Sequence, residues 1–247
     1  MLKYLKSKKV LDWCFFDFGI SSYPTLILTF FYGAFYAKYI APNPIIGTSS
    51  WGFAVASASI LSFLIFAFIL IVAKNYFNFF NVSLFKTFFY LMIFSSSSLF
   101  LFNQGSSSIL PLVIVVISFI SFEVVNLFYN LSLHKVANRG NHGAVSNLGW
   151  GFGYLGGLLA LLIIFLLIYT YGKKEIPLLG ISPFLLVGPF VGIWAVFFGH
   201  RHLNNFKNVR FEVPNLINFI SDVKKKKLFK FLISYFFYNN AVICIFA

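Results

Sequence analysis

Long apolar runs separated by short polar connections form the main pattern of the chain. A helix needs about 20 mostly apolar residues to cross a bilayer. Runs of that length lie at 15–38, 51–73, 84–103, 109–133, 145–170 and 178–198. A further run begins near Leu228 and continues to Ala247. The pattern predicts an all-α chain of six membrane-spanning helices and a terminal seventh, with domains at 1–199, 200–227 (a cytoplasmic connection) and 228–247.

Composition supports a membrane location. Of the 247 residues, 60% are hydrophobic and only 10% are charged, whereas about 25% are charged in soluble domains. So few polar side chains cannot cover the surface of a soluble protein. We therefore expect a multi-pass integral membrane protein of the bacterial inner (plasma) membrane type.

The basic residues predict an orientation. The net charge is +13, but the basic residues lie between apolar runs, so topology explains them better than a nucleic-acid partner. All but three of the 19 lysines and arginines fall at the N-terminus or in alternate connections, the exceptions being Lys38, Lys173 and Lys174. Cytoplasmic loops carry such an excess, which predicts a cytoplasmic N-terminus.

The connection 200–227 ends in four consecutive lysines: Lys224, Lys225, Lys226 and Lys227. Clusters of this kind beside a membrane span contact anionic lipid headgroups. We expect this run to anchor the topology and to bind anionic lipid.

The stretch GWGFGYLGG, residues 149–157, fits two patterns. The first, G-x-G-x-x-G, cradles a dinucleotide where it follows a strand. Here the preceding segment HKVANRGNHGAV is a basic polar loop and the following run is apolar, so we expect no cofactor. The second pattern is a stripe of small residues that lets two membrane helices approach closely. It assigns helix packing to Gly149, Gly153, Gly156 and Gly157, and Gly188 and Gly192 repeat the spacing.

Two acidic residues lie inside apolar runs. Glu123 is near the centre of the fourth, and Asp17 is about one turn into the first. A charge at mid-bilayer costs about 2.5–3.5 kcal/mol or more, so such groups face a cavity or a partner. Loss of water favours the neutral carboxyl form, which makes either acid a candidate for solute binding or proton coupling.

Other polar residues accompany these acids. Asn126 and Asn130 continue a stripe from Glu123, with Tyr129 adjacent, and Ser21 lies one turn after Asp17. We expect all four to line a cavity. The alternative is that they only form hydrogen bonds with neighbouring helices.

The histidines and cysteines suggest neither catalysis nor metal binding. No carboxylate cluster lies near the four histidines, His134, His142, His200 and His202. We expect all four to be solvated at the cytoplasmic interface, and an interfacial enzyme that uses His200 and His202 is the alternative. Cys14 and Cys244 lie in or beside apolar runs, where they serve as small apolar side chains.

Three segments resemble one branch of the major facilitator superfamily, the group related to the vacuolar amino-acid effluxer of autophagy. They are DFGISSYPTLILTFF in the first run, FEVVNLFYNLSLHKVANRGNHGAVSNLGWGFGYLGG across the fourth and fifth, and FLISYFFYNN in the seventh. The resemblance implies a transporter of two six-helix halves that rock around a central site. The group usually has an asparagine where Ile20 stands and an acid where Asn240 stands.

On this resemblance the chain holds the six-helix N-terminal half and the seventh helix. We expect a fragment, a shortened reading frame, or two copies that assemble as a homo-oligomer. The predicted function is secondary transport of a small polar solute, such as an amino acid, with possible proton coupling. The alternative is a non-transporting remnant or accessory subunit that binds partners or lipids through its basic face.

Overall fold

The fold is all-α in the part of the chain that the structure describes, with loops such as residues 102–108 between the helices. This computed structural model describes residues 4, 6–138, 140–171, 181–205, 228–235 and 237–238, and the side chains of 69–82 and 204–205 lie outside that description. The α-helices are α1 (Lys8–Ile20), α2 (Tyr32–Phe35), α3 (Pro44–Ser98), α4 (Ile109–Val136), α5 (His142–Tyr171) and α6 (Val187–Asn205). Two π-helical segments (Pro24–Phe30 and Tyr36–Ile40) and two 3₁₀ segments (Leu99–Leu101 and Pro183–Leu186) extend them.

Six helical stretches are long and apolar enough to cross a bilayer, as predicted. In chain order they are the first span (Lys8–Ile40), the second (Pro44–Phe68), the third (Ser83–Leu101), the fourth (Ile109–Val136), the fifth (His142–Tyr171) and the sixth (Pro183–Leu203). The chain is therefore a multi-pass membrane protein.

The chain divides into two compact units, Met1–Phe211 and Glu212–Ala247. In the second unit residues 228–235 and 237–238 are helical, and the rest of the predicted seventh helix, including Asn240, lies outside the described residues. The same is true of Lys224 to Lys227 and of Cys244.

Pro24 changes the geometry of the first span without ending it. Proline has no N–H for the i→i−4 hydrogen bond and its ring crowds the preceding turn. Helix α1 ends at Ile20, and a π-helical segment begins at Pro24 itself. The wider π turn accommodates the missing bond, and the span continues to Ile40.

The second span runs parallel to the fourth. At its start, the Trp51 ring lies 5.9 Å from the Tyr36 ring. Tyr36 in turn donates a hydrogen bond of 3.0 Å to the carbonyl of Ser108, just before the fourth span. Further along, Ser62 and Glu123, near the middle of the fourth span, line the same cavity.

The third span runs in the opposite direction. Its first part holds Phe85, whose ring lies 5.8 Å from Phe128 near the end of the fourth span. Its last part packs against the start of the sixth span, where Gly188 faces Ser96 and Leu99. Although α3 carries both the second and third spans, they form the antiparallel pair that the hydropathy pattern predicts.

The first span lies at the centre of this unit, in contact with the fourth, fifth and sixth spans. Its buried residues include Trp13, Phe16, Tyr23 and Leu26, each 1% exposed or less. Outward-facing positions of the fifth span are apolar and exposed: Leu158, Leu162 and Leu166. This arrangement is typical of a bundle whose outer surface faces lipid, because apolar side chains gain nothing by avoiding lipid tails.

Candidate functional site

Four glycines of the fifth span bring its backbone against the first span. A Cβ atom at Gly156 would overlap the carbonyl oxygen of Phe18, and one at Gly157 would lie 2.7 Å from the hydroxyl of Thr25. Gly149 faces the Trp13 ring in the same way. By contrast, a Cβ at Gly151 would meet nothing within 4 Å. The stretch GWGFGYLGG thus lies inside a helix, with Gly149, Gly153, Gly156 and Gly157 at the contact and Gly151 away from it.

Asp17 lies in this contact between the first and fifth spans. Its side chain is half-buried, and the Ser21 hydroxyl donates a hydrogen bond of 3.3 Å to its Oδ1 atom. A Cβ atom at Gly153 would lie 2.8 Å from Asp17 Oδ2 and 2.9 Å from Ser21 Oγ. The missing side chain at Gly153 therefore leaves room for the pair formed by Asp17 and Ser21.

Tyr129 of the fourth span completes this group. Its ring stacks on Trp13 at 4.4 Å between centroids and 12° between planes, and it is 2% exposed. Its hydroxyl points at Gly149. The Asp17 carboxylate is near enough to interact electrostatically with this hydroxyl, but no group in the described residues meets it in hydrogen-bond geometry. We call Asp17, Ser21 and Tyr129 the Asp17 cluster.

Glu123 lies in a different place, at a cavity between the second and fourth spans. The cavity has a volume of about 230 Å³ and is lined by Glu123 together with Ser59, Ser62, Phe63 and Phe66. It is open at the surface, where Ser59 and Phe63 are exposed. Glu123 is half-buried. We call this the Glu123 cavity.

Four residues of the second span that line this cavity were not predicted from the sequence. They recur at i, i+3, i+4 and i+7, which places them on one face of a helix. The hydroxyls of Ser59 and Ser62 within an otherwise apolar run were the available signal. Only the packing of the second span on the fourth shows that this face meets Glu123.

Asn126 and Asn130 lie about one and two turns after Glu123 on the fourth span. Asn130 Nδ2 donates hydrogen bonds to the Asn126 carbonyl at 2.9 Å and to its side-chain oxygen at 3.2 Å. Asn130 is exposed and Asn126 is half-buried. The two asparagines thus form hydrogen bonds with each other within one helix. Neither of them lines the Glu123 cavity.

The structure thus separates residues that the sequence grouped in one cavity. Glu123 and Tyr129 are six residues apart on the fourth span, about 9 Å along the helix axis. The Glu123 cavity is lined by no residue of the Asp17 cluster. The Tyr23 ring of the first span stacks on Phe122 at 5.2 Å, and its hydroxyl lies 2.7 Å from Ser118 Oγ, on the side of Glu123 away from Tyr129. The two acids therefore belong to two sites, one tightly packed and one beside an open volume.

His202 is buried, so the expectation of four solvated histidines is wrong at this position. It is 2% exposed, its ring lies 5.1 Å from Phe16, and its Nε2 atom lies 3.5 Å from Ser132 Oγ. The reason is that α6 continues to Asn205, beyond the predicted end at residue 198, so residue 202 shares a helix face with Gly199. His200, on another face, is exposed.

The other two histidines lie at the connection between the fourth and fifth spans. The rings of His134 and His142 are 4.8 Å apart, and His142 Nε2 is 2.9 Å from the Ala137 carbonyl oxygen. In the described ranges, no group of three or more histidine, cysteine, aspartate or glutamate side chains is placed to hold a metal ion.

Comparisons with protein-family models, with curated proteins and with solved structures find no match to this chain. The resemblance to the major facilitator superfamily therefore stays a prediction from sequence.

Proposed function

We propose that this chain carries out, or contributes half of the path for, secondary transport of a small polar solute across a membrane. The observation that carries the proposal is the Glu123 cavity, where a carboxyl group within a membrane-spanning helix faces an open volume. Ionisable residues at this depth are costly and mark solute or ion pathways. A purely structural role would not require a cavity beside the acid.

The Asp17 cluster supports the same function in a different way. It places a second carboxyl group at a helix contact where four glycines of the fifth span face the first span. Small residues at such contacts allow backbones to approach closely. We propose that a change in the charge of Asp17 alters the packing of the first span on the fifth, which would couple a proton to movement of the helices.

The test is flux through liposomes that contain the full chain and enclose a pH-sensitive dye. Leucine, serine and n-butylamine are added in turn outside, and proton movement and solute uptake are recorded. We expect Glu123→Gln and Asp17→Asn each to lower flux to about a tenth of wild type or less, since a hydrogen bond to a charged group contributes roughly 1.5–3 kcal/mol.

Ser121→Ala is the matched control. Ser121 is buried on the fourth span, its hydroxyl donates to the Ile117 carbonyl at 2.7 Å, and it belongs neither to the Asp17 cluster nor to the lining of the Glu123 cavity. It should leave flux unchanged. Correctly inserted wild-type protein that moves none of the solutes faster than empty liposomes would overturn the transport proposal and favour an accessory membrane protein.

A further inference from the structure

We propose that the Glu123 cavity binds a small aliphatic primary amine in its ammonium form. The ammonium group would contact the Glu123 carboxylate and the Ser62 hydroxyl, and the alkyl chain would lie against Phe63 and Phe66. As a solute class this inference rests on the proposed transport function, but binding itself can be measured without flux.

Ser62 is the first argument for a ligand. It is 3% exposed, and its hydroxyl has no hydrogen-bond partner in the described part of the chain. An unsatisfied buried hydroxyl is destabilising, so a native structure that keeps one needs a reason.

The other buried serines show how unusual this is. Each of them donates to a backbone carbonyl of its own helix within the preceding turn: Ser22, Ser95, Ser96, Ser118, Ser121 and Ser132. Exposed Ser59, one turn before Ser62, also donates to the Val55 carbonyl, at 3.0 Å. Ser62 alone among the described buried serines leaves its hydroxyl free, and it does so in the wall of a cavity that also contains Glu123.

The charge of the cavity determines which charge a ligand must carry. Glu123 is its one ionisable residue, and the other described lining residues are two serines and two phenylalanines. An anion would be repelled by the carboxylate. A zwitterion such as leucine would place its own carboxylate where no lysine or arginine of the described lining could pair with it.

The side chains that line the cavity favour an organic cation over a metal ion. An alkali or alkaline-earth ion needs a shell of several oxygen ligands, whereas this cavity offers one carboxylate and serine hydroxyls. The remainder of the wall consists of the Phe63 and Phe66 side chains, which suit an alkyl chain. Phenyl faces also attract an ammonium group. The volume of about 230 Å³ is below the range of roughly 300–1,000 Å³ for drug-sized ligands, so the amine must be small.

The test is saturation-transfer NMR with n-butylamine and the full chain in zwitterionic lipid nanodiscs, with empty nanodiscs subtracted. At pH 7 an alkylamine is protonated, as a lysine side chain is. We expect saturable binding at about millimolar concentration for a ligand of so few atoms. n-Butanol, which has the same shape without the charge, and leucine should each compete at least tenfold more weakly.

Variants then locate the site. Glu123→Gln should weaken butylamine binding about tenfold or more and Ser62→Ala about three- to tenfold, while Ser121→Ala should leave it unchanged. If Glu123→Gln fails to fold, Ser62→Ala and the wild-type ligand series still decide the question.

Four results would overturn the inference: equal competition by n-butanol, equal or stronger competition by leucine, displacement by sodium chloride but not by choline chloride, or the same affinity in Ser62→Ala as in wild type. Its failure is distinguishable from failure of the transport proposal. Butylamine binding without any flux removes transport alone, and flux of another solute without butylamine binding removes the amine site alone.

Discussion

Replacing Gly156 with alanine tests the contact between the first and fifth spans most directly. The added Cβ would overlap the carbonyl oxygen of Phe18. A backbone oxygen in a helix cannot rotate away as a side chain can, so the two helices must separate. At Gly157 the first obstacle is the Thr25 hydroxyl, 2.7 Å from the added atom, which can change rotamer. At Gly151 the added atom meets nothing within 4 Å.

These contacts set the magnitudes. Overpacking a tight site costs about 1–3 kcal/mol, while alanine is favoured over glycine inside a helix by about 0.8–1 kcal/mol. We expect Gly156→Ala to lower stability by about 1–2 kcal/mol net, because a clash with backbone lies at the upper end of the overpacking range and the helix preference of alanine offsets part of it. Gly157→Ala should fall between this value and zero, and Gly151→Ala should be neutral or slightly stabilising.

The assay is thermal unfolding of the purified protein in detergent. For a chain of 150–250 residues, 1 kcal/mol corresponds to about 2–4 °C in Tm, so Gly156→Ala should unfold about 2–8 °C below wild type. Gly151→Ala serves as the control because it makes the same chemical change in the same helix. Equal losses in Gly151→Ala and Gly156→Ala would refute the packing argument, as would an unchanged Tm in Gly156→Ala.

Three further predictions concern the buried side chains around the first span. Trp13→Phe should lower stability in the same assay by about 1–2 kcal/mol, because it removes the 2.8 Å hydrogen bond from the indole nitrogen to Ser132 Oγ; a loss no larger than that from an exposed Phe→Leu change would contradict it. His202→Ala should lower the free energy of unfolding by about 2–4 kcal/mol, because it leaves a cavity in the packed interior. His200→Ala, at an exposed position, should change that free energy by less than about 0.5 kcal/mol. Similar losses in the two variants would mean that His202 is exposed to solvent. In a Cys244→Ser background, the buried Cys14 thiol should react with maleimide only after denaturation, and rapid labelling of native protein would show that this part of the bundle opens.

The spans were predictable because lipid imposes a composition on any segment that crosses it. Their ends were less predictable, since a helix continues past its apolar run wherever neighbouring helices support it. The first span therefore begins at Lys8 rather than near residue 15, and α6 continues through His200 to Asn205. The polar sequence around these ends resembles a loop, which is why the burial of His202 could not be foreseen.

The two acids were found from sequence because a charge in an apolar run is conspicuous. Their surroundings were not, because these depend on which helix faces lie together. Nothing local distinguishes Ser62 from Ser59: both are hydroxyls in one apolar segment. Only the arrangement of the second and fourth spans leaves one hydroxyl bonded to its own helix and the other open to the Glu123 cavity.

The difference between the two sites predicts a division of labour. A solute needs open volume, whereas a proton needs none. The Asp17 carboxylate lies close to Gly153 of the fifth span, where an added Cβ would lie 2.8 Å from Oδ2, so little room is left for a solute on that side. Glu123 has the cavity. We therefore expect Asp17→Asn to keep n-butylamine binding within about twofold of wild type while it abolishes proton movement.

Glu123→Gln, unlike Asp17→Asn, should weaken butylamine binding about tenfold or more. Gly153→Ala provides an independent check, because it crowds Asp17 and Ser21 without changing any charge. It should impair proton movement and leave binding intact. If Asp17→Asn weakened butylamine binding as much as Glu123→Gln, the two acids would have to act on one ligand, and the assignment of two separate sites would be wrong.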